Sequence, residues 1–106
     1  MKEITAEELK QKIENGDSFT LLDVRDAHEL FISDIETEKI NIPYDDLKGR
    51  LGELSKEGEI IAMCRSGNSS TDACNLLADA GFTNVKSLKG GINEWASKVD
   101  SSLPIY

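Results

Sequence analysis

The chain has 106 residues, of which 39% are hydrophobic and 30% are charged, and its formal net charge is −8 at pH 7. This length and composition predict one ordinary globular domain covering residues 1–106. The acidic balance argues against binding to nucleic acid or to an anionic membrane surface, because both attract basic patches. No apolar run approaches the roughly 20 residues that a membrane-spanning helix needs.

The N-terminus and the cysteines give two further expectations. Residues 1–5 lack the apolar stretch of a secretory signal peptide, and two cysteines are too few for a disulfide framework. We therefore expect a reducing, cytoplasmic location. The single histidine, His28, and two cysteines ten residues apart do not have the spacing of metal ligands, so no metal site is predicted.

Along the chain, apolar patterns of strand type alternate with patterns of helix type. The first helix begins with a capping box, in which Thr5 is the cap and Glu8 follows three residues later, and it ends at Gly16. The remaining predicted elements are, in order, a strand at 19–24, a short helix at 27–32, a strand at 40–43, a helix at 47–54, a strand at 60–63, a helix at 71–80, a strand at 85–88 and a helix at 92–99.

Cys64 lies between an apolar strand and the start of a helix. Short apolar strands that alternate with helices indicate a parallel sheet covered on both faces, and ligands bind such sheets beyond the carboxyl ends of the strands. The small and polar residues 65–70 follow the cysteine. Backbone N–H groups that converge beside a helix N-terminus bind anions, and a thiol placed there loses its proton more readily than an ordinary cysteine. The segment therefore offers a nucleophile together with a site for its negative charge.

Four short motifs follow one another along most of the chain. They are Leu22-Asp23-Val24-Arg25 with Glu29, Asn41-Ile42-Pro43, Cys64-Arg65-Ser66-Gly67-Asn68-Ser69 and Gly90-Gly91-Ile92-Asn93-Glu94-Trp95. In this order, with Cys64 opening a six-residue loop, they resemble the motifs of the single-domain rhodanese family of sulfurtransferases. The resemblance implies an α/β fold of three layers, in which a mostly parallel central β-sheet is flanked by helices on both faces.

The chain departs from the rhodanese pattern in two places. Residues 33–39 stand where many relatives carry a Gly-His-Ile-x-Gly-Ala segment, and they contain neither histidine nor glycine. Ser69 stands where many relatives have an arginine, so one cationic contact to an anionic substrate is expected to be missing. Neither departure touches Cys64, which keeps its place in the motif.

The resemblance implies that Cys64 is the catalytic nucleophile, and that the loop after it binds the substrate. Asp23 and Arg25 are expected to support the site, mainly through an ion pair that anchors the end of their strand. The residues predicted to bind substrate are Arg65, Ser66, Gly67, Asn68, Ser69 and Ser70.

The reaction that the resemblance implies is the transfer of sulfane sulfur through a persulfide on Cys64. The donors would be small sulfur-containing anions such as thiosulfate and polysulfide, or a persulfide, and the acceptor would be thiophilic, with a protein thiol as one candidate. No cofactor is required. The physiological donor and acceptor, and the oligomeric state, stay open.

Three other functions fit parts of the sequence. Cysteine phosphatases place a phosphate-clamping arginine six residues after the cysteine, where this chain has Ser70. A non-catalytic sulfur carrier or protein-interaction module of the same fold is the main alternative, although inactive relatives lose the cysteine that is present here. A redox pair of Cys64 and Cys74 has unsuitable spacing, and packing in the core explains Cys74 better.

Overall fold

The computed structural model describes residues 2–106, and its strands form one parallel five-stranded sheet. The strands are β1 (Glu3–Ile4), β2 (Thr20–Asp23), β3 (Ile40–Asn41), β4 (Ile60–Met63) and β5 (Val85–Leu88). Their order across the sheet is β1-β5-β4-β2-β3, and every neighbouring pair is parallel. Because the strands run in one direction, their carboxyl ends lie along a single edge.

Helices connect the strands, as expected for parallel pairs. Among residues 2–106, no helix is both long enough and apolar enough to cross a membrane. The helices are α1 (Ala6–Asn15), α2 (Tyr44–Leu47), α3 (Asn68–Asp79) and α4 (Gly91–Lys98), with 3-10 turns at Ala27–Phe31 and Leu51–Glu53.

The sheet separates two hydrophobic cores. Successive side chains of a strand point to opposite faces, so each central strand supplies both cores. Leu22 and Ala62 belong to one core, which residues of α2 and α3 complete. Leu21 and Ile61 belong to the other, which residues of α1 and α4 complete. The sheet is therefore the middle of three layers, which confirms the predicted α/β architecture.

The predicted capping box at the start of α1 is present. The Glu8 N–H donates to Thr5 Oγ1 at 3.1 Å, and the Thr5 N–H donates to Glu8 Oε1 at 2.9 Å. The helix ends at Gly16, whose φ of 71° is the left-handed conformation that glycine adopts without strain. These signals are local in sequence, so they predict the element and its ends well.

The helix after Cys64 begins three residues earlier than predicted, at Asn68 instead of Thr71. Gly67 takes a φ of 106° immediately before it, so the chain turns sharply from the loop into the helix. The Gly67 carbonyl then accepts hydrogen bonds from both the N–H and the hydroxyl of Thr71, at 3.2 and 2.8 Å. Ser69 and Ser70 consequently belong to the first turn of α3.

One predicted helix was wrong, and one strand was missed. The helix predicted at 47–54 is two short turns, α2 and the 3-10 turn at Leu51–Glu53, because the glycines at 49 and 52 interrupt it. Strand β1 was not predicted, because two residues are too few to show a period. It adds an edge strand beside β5.

The turn from β5 to α4 packs directly against the backbone that follows β4. The Ile92 N–H donates to the Cys64 carbonyl at 2.9 Å, and the Asn93 N–H donates to the Arg65 carbonyl at 3.1 Å. A Cβ atom on Gly91 would overlap the Cys64 carbonyl oxygen and the Arg65 backbone, and Gly91 also has a φ of 63°. Only glycine fits at this position, which explains its place in the Gly-Gly motif.

We expect Gly91→Ala to lower the free energy of unfolding by about 2–4 kcal/mol, because the added methyl group meets backbone atoms that cannot move aside. Gly16→Ala is the matched control, since Gly16 has a similar φ of 71° but nothing within 4 Å of the new Cβ. In Gly16→Ala, the backbone strain alone is expected to lower the free energy of unfolding by about 1 kcal/mol. Urea unfolding of both variants measures the difference. An equal loss of unfolding free energy in the two variants would show that a side chain at position 91 does not clash with the Cys64 backbone.

Candidate active site

A cleft of about 370 Å³ opens where β2 and β4 end and α3 begins. Cys64 follows the last residue of β4, Met63, and borders this cleft although its relative exposure is only 4%. The loop contributes Cys64, Arg65, Ser66, Asn68 and Ser69 to the lining. The remaining lining residues are Val24, Arg25, Asp26, Glu29, Tyr44 and Asp45.

The sulfur of Cys64 has hydrogen-bond partners in the loop itself. The Gly67 N–H donates to Cys64 Sγ at 3.0 Å, and the Cys64 thiol donates to Ser70 Oγ at 3.5 Å. Gly67 and Ser70, both predicted from the sequence as substrate-binding residues, are thus in contact with the sulfur and do not line the open cleft. They form the inner side of the site.

Ser87 supports Ser70 from strand β5. The two hydroxyl oxygens lie 2.7 Å apart, and Ser70 Oγ also donates to the Gly67 carbonyl at 3.2 Å. Both serines are almost fully buried, with relative exposures of 0% and 1%. A hydroxyl has one proton, so when Ser87 donates to Ser70, Ser70 can direct its own proton to Gly67 or to the sulfur. The Ser70 hydroxyl can therefore donate its proton to the sulfur of Cys64 when that sulfur is negatively charged.

The loop after Cys64 and the first turn of α3 have backbone N–H donors without partners in the described part of the chain. Within residues 2–106, no protein acceptor is found for the N–H groups of Ser66, Asn68, Ser69 or Ser70. The first N–H groups of any helix lack partners within it, and they carry the positive end of the helix dipole. Three of these residues also line the cleft. The arrangement suits a negative charge next to Cys64.

Asp23 and Arg25 form the predicted ion pair at the end of β2. Arg25 Nη2 lies 2.8 Å from Asp23 Oδ2, and both side chains are buried. Burial opposes the charge on the guanidinium, but hydrogen bonds to Asp23 and Tyr106 outweigh it and raise the pKa of Arg25. Arg25 also donates to the Ser33 carbonyl at 2.8 Å, and so anchors the start of segment 33–39. These contacts anchor Arg25, which also lines the cleft, whereas Asp23 is not among the lining residues.

Asn41, the first residue of the Asn-Ile-Pro motif, binds the backbone at the end of β2. Its side-chain amide donates to the carbonyls of Asp23 and Arg25, at 3.0 and 2.9 Å. The Tyr44 N–H donates to the Val24 carbonyl at 3.0 Å, which holds the start of α2 at the cleft. These bonds fix the wall that faces the Cys64 loop.

The charges around the cleft are mixed. Asp26, Glu29 and Asp45 supply carboxylates, and Arg25 and Arg65 supply cations. Arg25 is neutralised by Asp23, whereas Arg65 forms no ion pair with any residue of the described part of the chain. Arg65 is therefore the cation through which the loop can attract an anion. Nowhere in residues 2–106 do three His, Cys, Asp or Glu side chains form a group that could hold a metal ion.

Three residues near the site were not predicted from the sequence. Ser87 contacts Ser70, while Asn93 and Tyr106 contact the cleft residues from the C-terminal part of the chain. Ser87 carries a detectable signal, because it is a small polar residue inside an apolar strand. Asn93 lies within the Gly-Gly motif, but nothing in the sequence places it beside Arg65, and Tyr106 carries no signal of its own.

Comparison with known proteins identifies the family and the fold. A family model described as Rhodanese-like domain matches residues 5–98. The chain is 37% identical over 110 residues to the maize (Zea mays) protein "Adenylyltransferase and sulfurtransferase MOCS3-2", a match that covers 97% of this chain and 23% of that protein. The chain spans about a quarter of the length of the curated relatives that it matches.

Solved structures give the same result. A rhodanese-related protein from Thermoplasma volcanium has a TM-score of 0.82 and 29% identity, covering 100% of this chain and 98% of that one. A NAD-dependent persulfide reductase from A. fulgidus has a TM-score of 0.73 and 38% identity, covering 90% of this chain and 16% of that one. The likeness to the first extends over both chains almost entirely, so it describes the whole fold.

Iodoacetamide is expected to label Cys64 and to leave Cys74 unlabelled in the folded protein near neutral pH. Cys64 borders the cleft, whereas Cys74 is 1% exposed and burial raises the pKa of its thiol to about 11. Little Cys74 thiolate is then present to react. Peptide mapping after brief labelling measures this, with the urea-unfolded protein as the control in which both cysteines react. Labelling of Cys74 as fast as Cys64 would contradict the structure of the site.

Proposed function

The chain belongs to the rhodanese-like domain family, and from this premise we propose that it is a sulfurtransferase that carries sulfane sulfur as a persulfide on Cys64. We also propose that residues 1–106 act as a single rhodanese-like domain. The observation that carries the proposal is the position of the sulfur: Cys64 Sγ borders the cleft, accepts a hydrogen bond from the Gly67 N–H at 3.0 Å and lies beside the start of α3.

In the first half of the reaction, the Cys64 thiolate attacks the outer sulfur of a donor. With thiosulfate, a bond forms between Cys64 Sγ and the sulfane sulfur, and the sulfur–sulfur bond of thiosulfate breaks. Sulfite leaves with the electron pair of that bond, and the Cys64 persulfide remains as an anion. The unused N–H groups of Ser66, Asn68 and Ser69 are the donors that would stabilise the departing and the retained charge.

In the second half, an acceptor removes the outer sulfur. Cyanide forms a bond to it, the bond to Cys64 Sγ breaks, and thiocyanate leaves while the Cys64 thiolate is restored. In a cell the acceptor would be a thiol, and a protein thiol is a candidate. Both half-reactions pass through one covalent intermediate, which is ping-pong catalysis without a cofactor.

Ser70 and Ser87 support the charged states of the sulfur. In the thiol form the Cys64 proton points to Ser70 Oγ, at 3.5 Å. When the sulfur is negative, Ser70 can turn its hydroxyl proton toward it, and Ser87 can donate to Ser70 at 2.7 Å. This buried pair adds a donor to that of Gly67 without bringing in a counter-charge.

The names of similar proteins support the coarse assignment. The maize relative is named a sulfurtransferase, and the matched part of the A. fulgidus protein belongs to a persulfide reductase. Adenylyl transfer is not carried over, since this chain covers 23% of the maize protein. A reducing cytoplasm would suit a thiol that must stay free, and we propose that location for this chain.

The alternatives have weaker support. Phosphate-ester hydrolysis lacks its clamp, because the residue six after Cys64 is Ser70, which is buried and bonded to Ser87. A redox pair with Cys74 is disfavoured by the burial that raises the pKa of that thiol. A non-catalytic sulfur carrier remains the second candidate. It would form the same Cys64 persulfide but release sulfur only to a specific protein, so it would show little turnover with cyanide.

Cys64→Ser is expected to lower thiosulfate-to-cyanide transfer by at least about 1,000-fold, because the hydroxyl cannot form the intermediate. Cys74→Ser is the matched control and is expected to keep activity within about threefold, since it alters packing in α3 and not the cleft. Initial rates with thiosulfate and cyanide measure both. Activity that survives in Cys64→Ser, or disappears in Cys74→Ser with its fold intact, would refute the assignment.

A further inference from the structure

We infer that Tyr106 is a positioning residue, which holds the Arg65 guanidinium at the cleft for an anionic sulfur donor. The inference rests on the proposed sulfur transfer and adds to it a residue that is remote from the loop in sequence. It is based on three sets of contacts, in which the backbone, the hydroxyl and the ring of Tyr106 each contact different residues.

The backbone of Tyr106 is fixed by one asparagine. The Tyr106 N–H donates to Asn93 Oδ1 at 3.1 Å, and Asn93 Nδ2 donates to the Tyr106 carbonyl at 3.3 Å. The backbone N–H of Asn93 donates to the Arg65 carbonyl at 3.1 Å. Asn93 therefore connects Tyr106 to the main chain of Arg65, so the two residues keep a fixed relation to each other.

The Tyr106 hydroxyl lies between Arg25 and Glu29. Arg25 Nη1 donates to it at 3.0 Å, and it donates to Glu29 Oε1 at 2.9 Å. Burial, opposed by Arg25 and assisted by Glu29, raises the pKa of Tyr106, so the phenol keeps the proton that this geometry uses. The hydroxyl therefore ties Tyr106 to the end of β2 as well as to the loop.

The Tyr106 hydroxyl also binds Glu29, a carboxylate that could compete with an anionic substrate for Arg65. Glu29 lines the cleft with Arg65, and a free Glu29 would be a ready partner for the guanidinium. One Glu29 oxygen accepts from Tyr106, and the other accepts from the Asp26 N–H at 3.0 Å. These two bonds hold the Glu29 carboxylate in place, and in the described part of the chain it forms no ion pair with Arg65, so the charge of Arg65 is available for an anion that enters the cleft.

The Tyr106 ring supports Arg65 directly. The guanidinium carbon lies 5.7 Å from the ring centroid, within the range of a cation–π contact. Arg65 is exposed and forms no ion pair in the described part of the chain, so the ring is the contact that can hold its guanidinium in place. An arginine that stacks on a ring keeps its N–H edge for paired hydrogen bonds to an oxyanion, such as the sulfonate end of thiosulfate.

The test compares Tyr106→Ala, Tyr106→Phe and Ile105→Ala in steady-state sulfur transfer. Tyr106→Ala is expected to raise the KM for thiosulfate about three- to tenfold and to change kcat by less than about twofold, since ring and hydroxyl both act on donor binding. Tyr106→Phe keeps the ring and should give a smaller rise. Ile105→Ala is the matched control, because Ile105 is 65% exposed, and it should change neither constant.

A double-mutant cycle with Arg65 decides how Tyr106 acts. In an Arg65→Ala background, Tyr106→Ala is expected to raise the thiosulfate KM no further, because the residue it positions is gone. An equal further rise in that background would overturn the inference and make Tyr106 a general support of the fold. An unchanged KM in Tyr106→Ala alone would overturn it as well.

NMR gives a readout that does not depend on activity. In the wild-type protein the Arg65 side-chain protons are expected to be shifted upfield by the ring current of Tyr106, and the shift should persist in Tyr106→Phe and vanish in Tyr106→Ala. Identical Arg65 shifts in wild type and Tyr106→Ala would contradict the inference. A wild-type protein with the upfield shift but without sulfur transfer would contradict the proposed function and leave the contact between Tyr106 and Arg65 established.

Discussion

The close approach of Gly91 to the backbone of Cys64 and Arg65 is the contact on which the site depends. Gly91 leaves room for no side chain there, and the neighbouring N–H groups bond the carbonyls of both loop residues. With those carbonyls directed toward α4, the loop can turn through Gly67 and present the Gly67 N–H to the sulfur. Two motifs far apart in sequence, the cysteine loop and the Gly-Gly turn, are therefore two sides of one contact.

Local donors have to overcome the charge of the whole chain. The net charge of −8 repels small anions, and Asp26, Glu29 and Asp45 line the cleft. Charges beyond roughly 8 Å are largely screened at physiological salt, whereas the Gly67 N–H acts on the sulfur at hydrogen-bonding distance. Attraction of an anion therefore comes from short contacts, which are the N–H groups at the start of α3 and the guanidinium of Arg65 over the Tyr106 ring.

The sequence predicts the fold and the central cysteine because the signals for them are local. A capping box, an apolar run before Cys64 and the alternation of elements each depend on neighbouring residues, and each is present in the structure. The residues that complete the site could not be predicted, because their contact partners are far away in the sequence. Ser87 contacts Ser70 only when β5 pairs with β4. Tyr106 contacts Arg65 only when the C-terminal residues pack on α4. The early start of α3 was missed because it depends on the conformation of Gly67.

The intact mass of the protein after incubation with thiosulfate tests the central claim most directly. We expect a mass increase of one sulfur atom, located on Cys64 by peptide mapping, and a return to the original mass when cyanide is added. A polysulfide should give the same adduct, since the loop and not the leaving group holds the persulfide. An unchanged mass with both donors, or a sulfur found on Cys74 with Cys64 unmodified, would contradict the account.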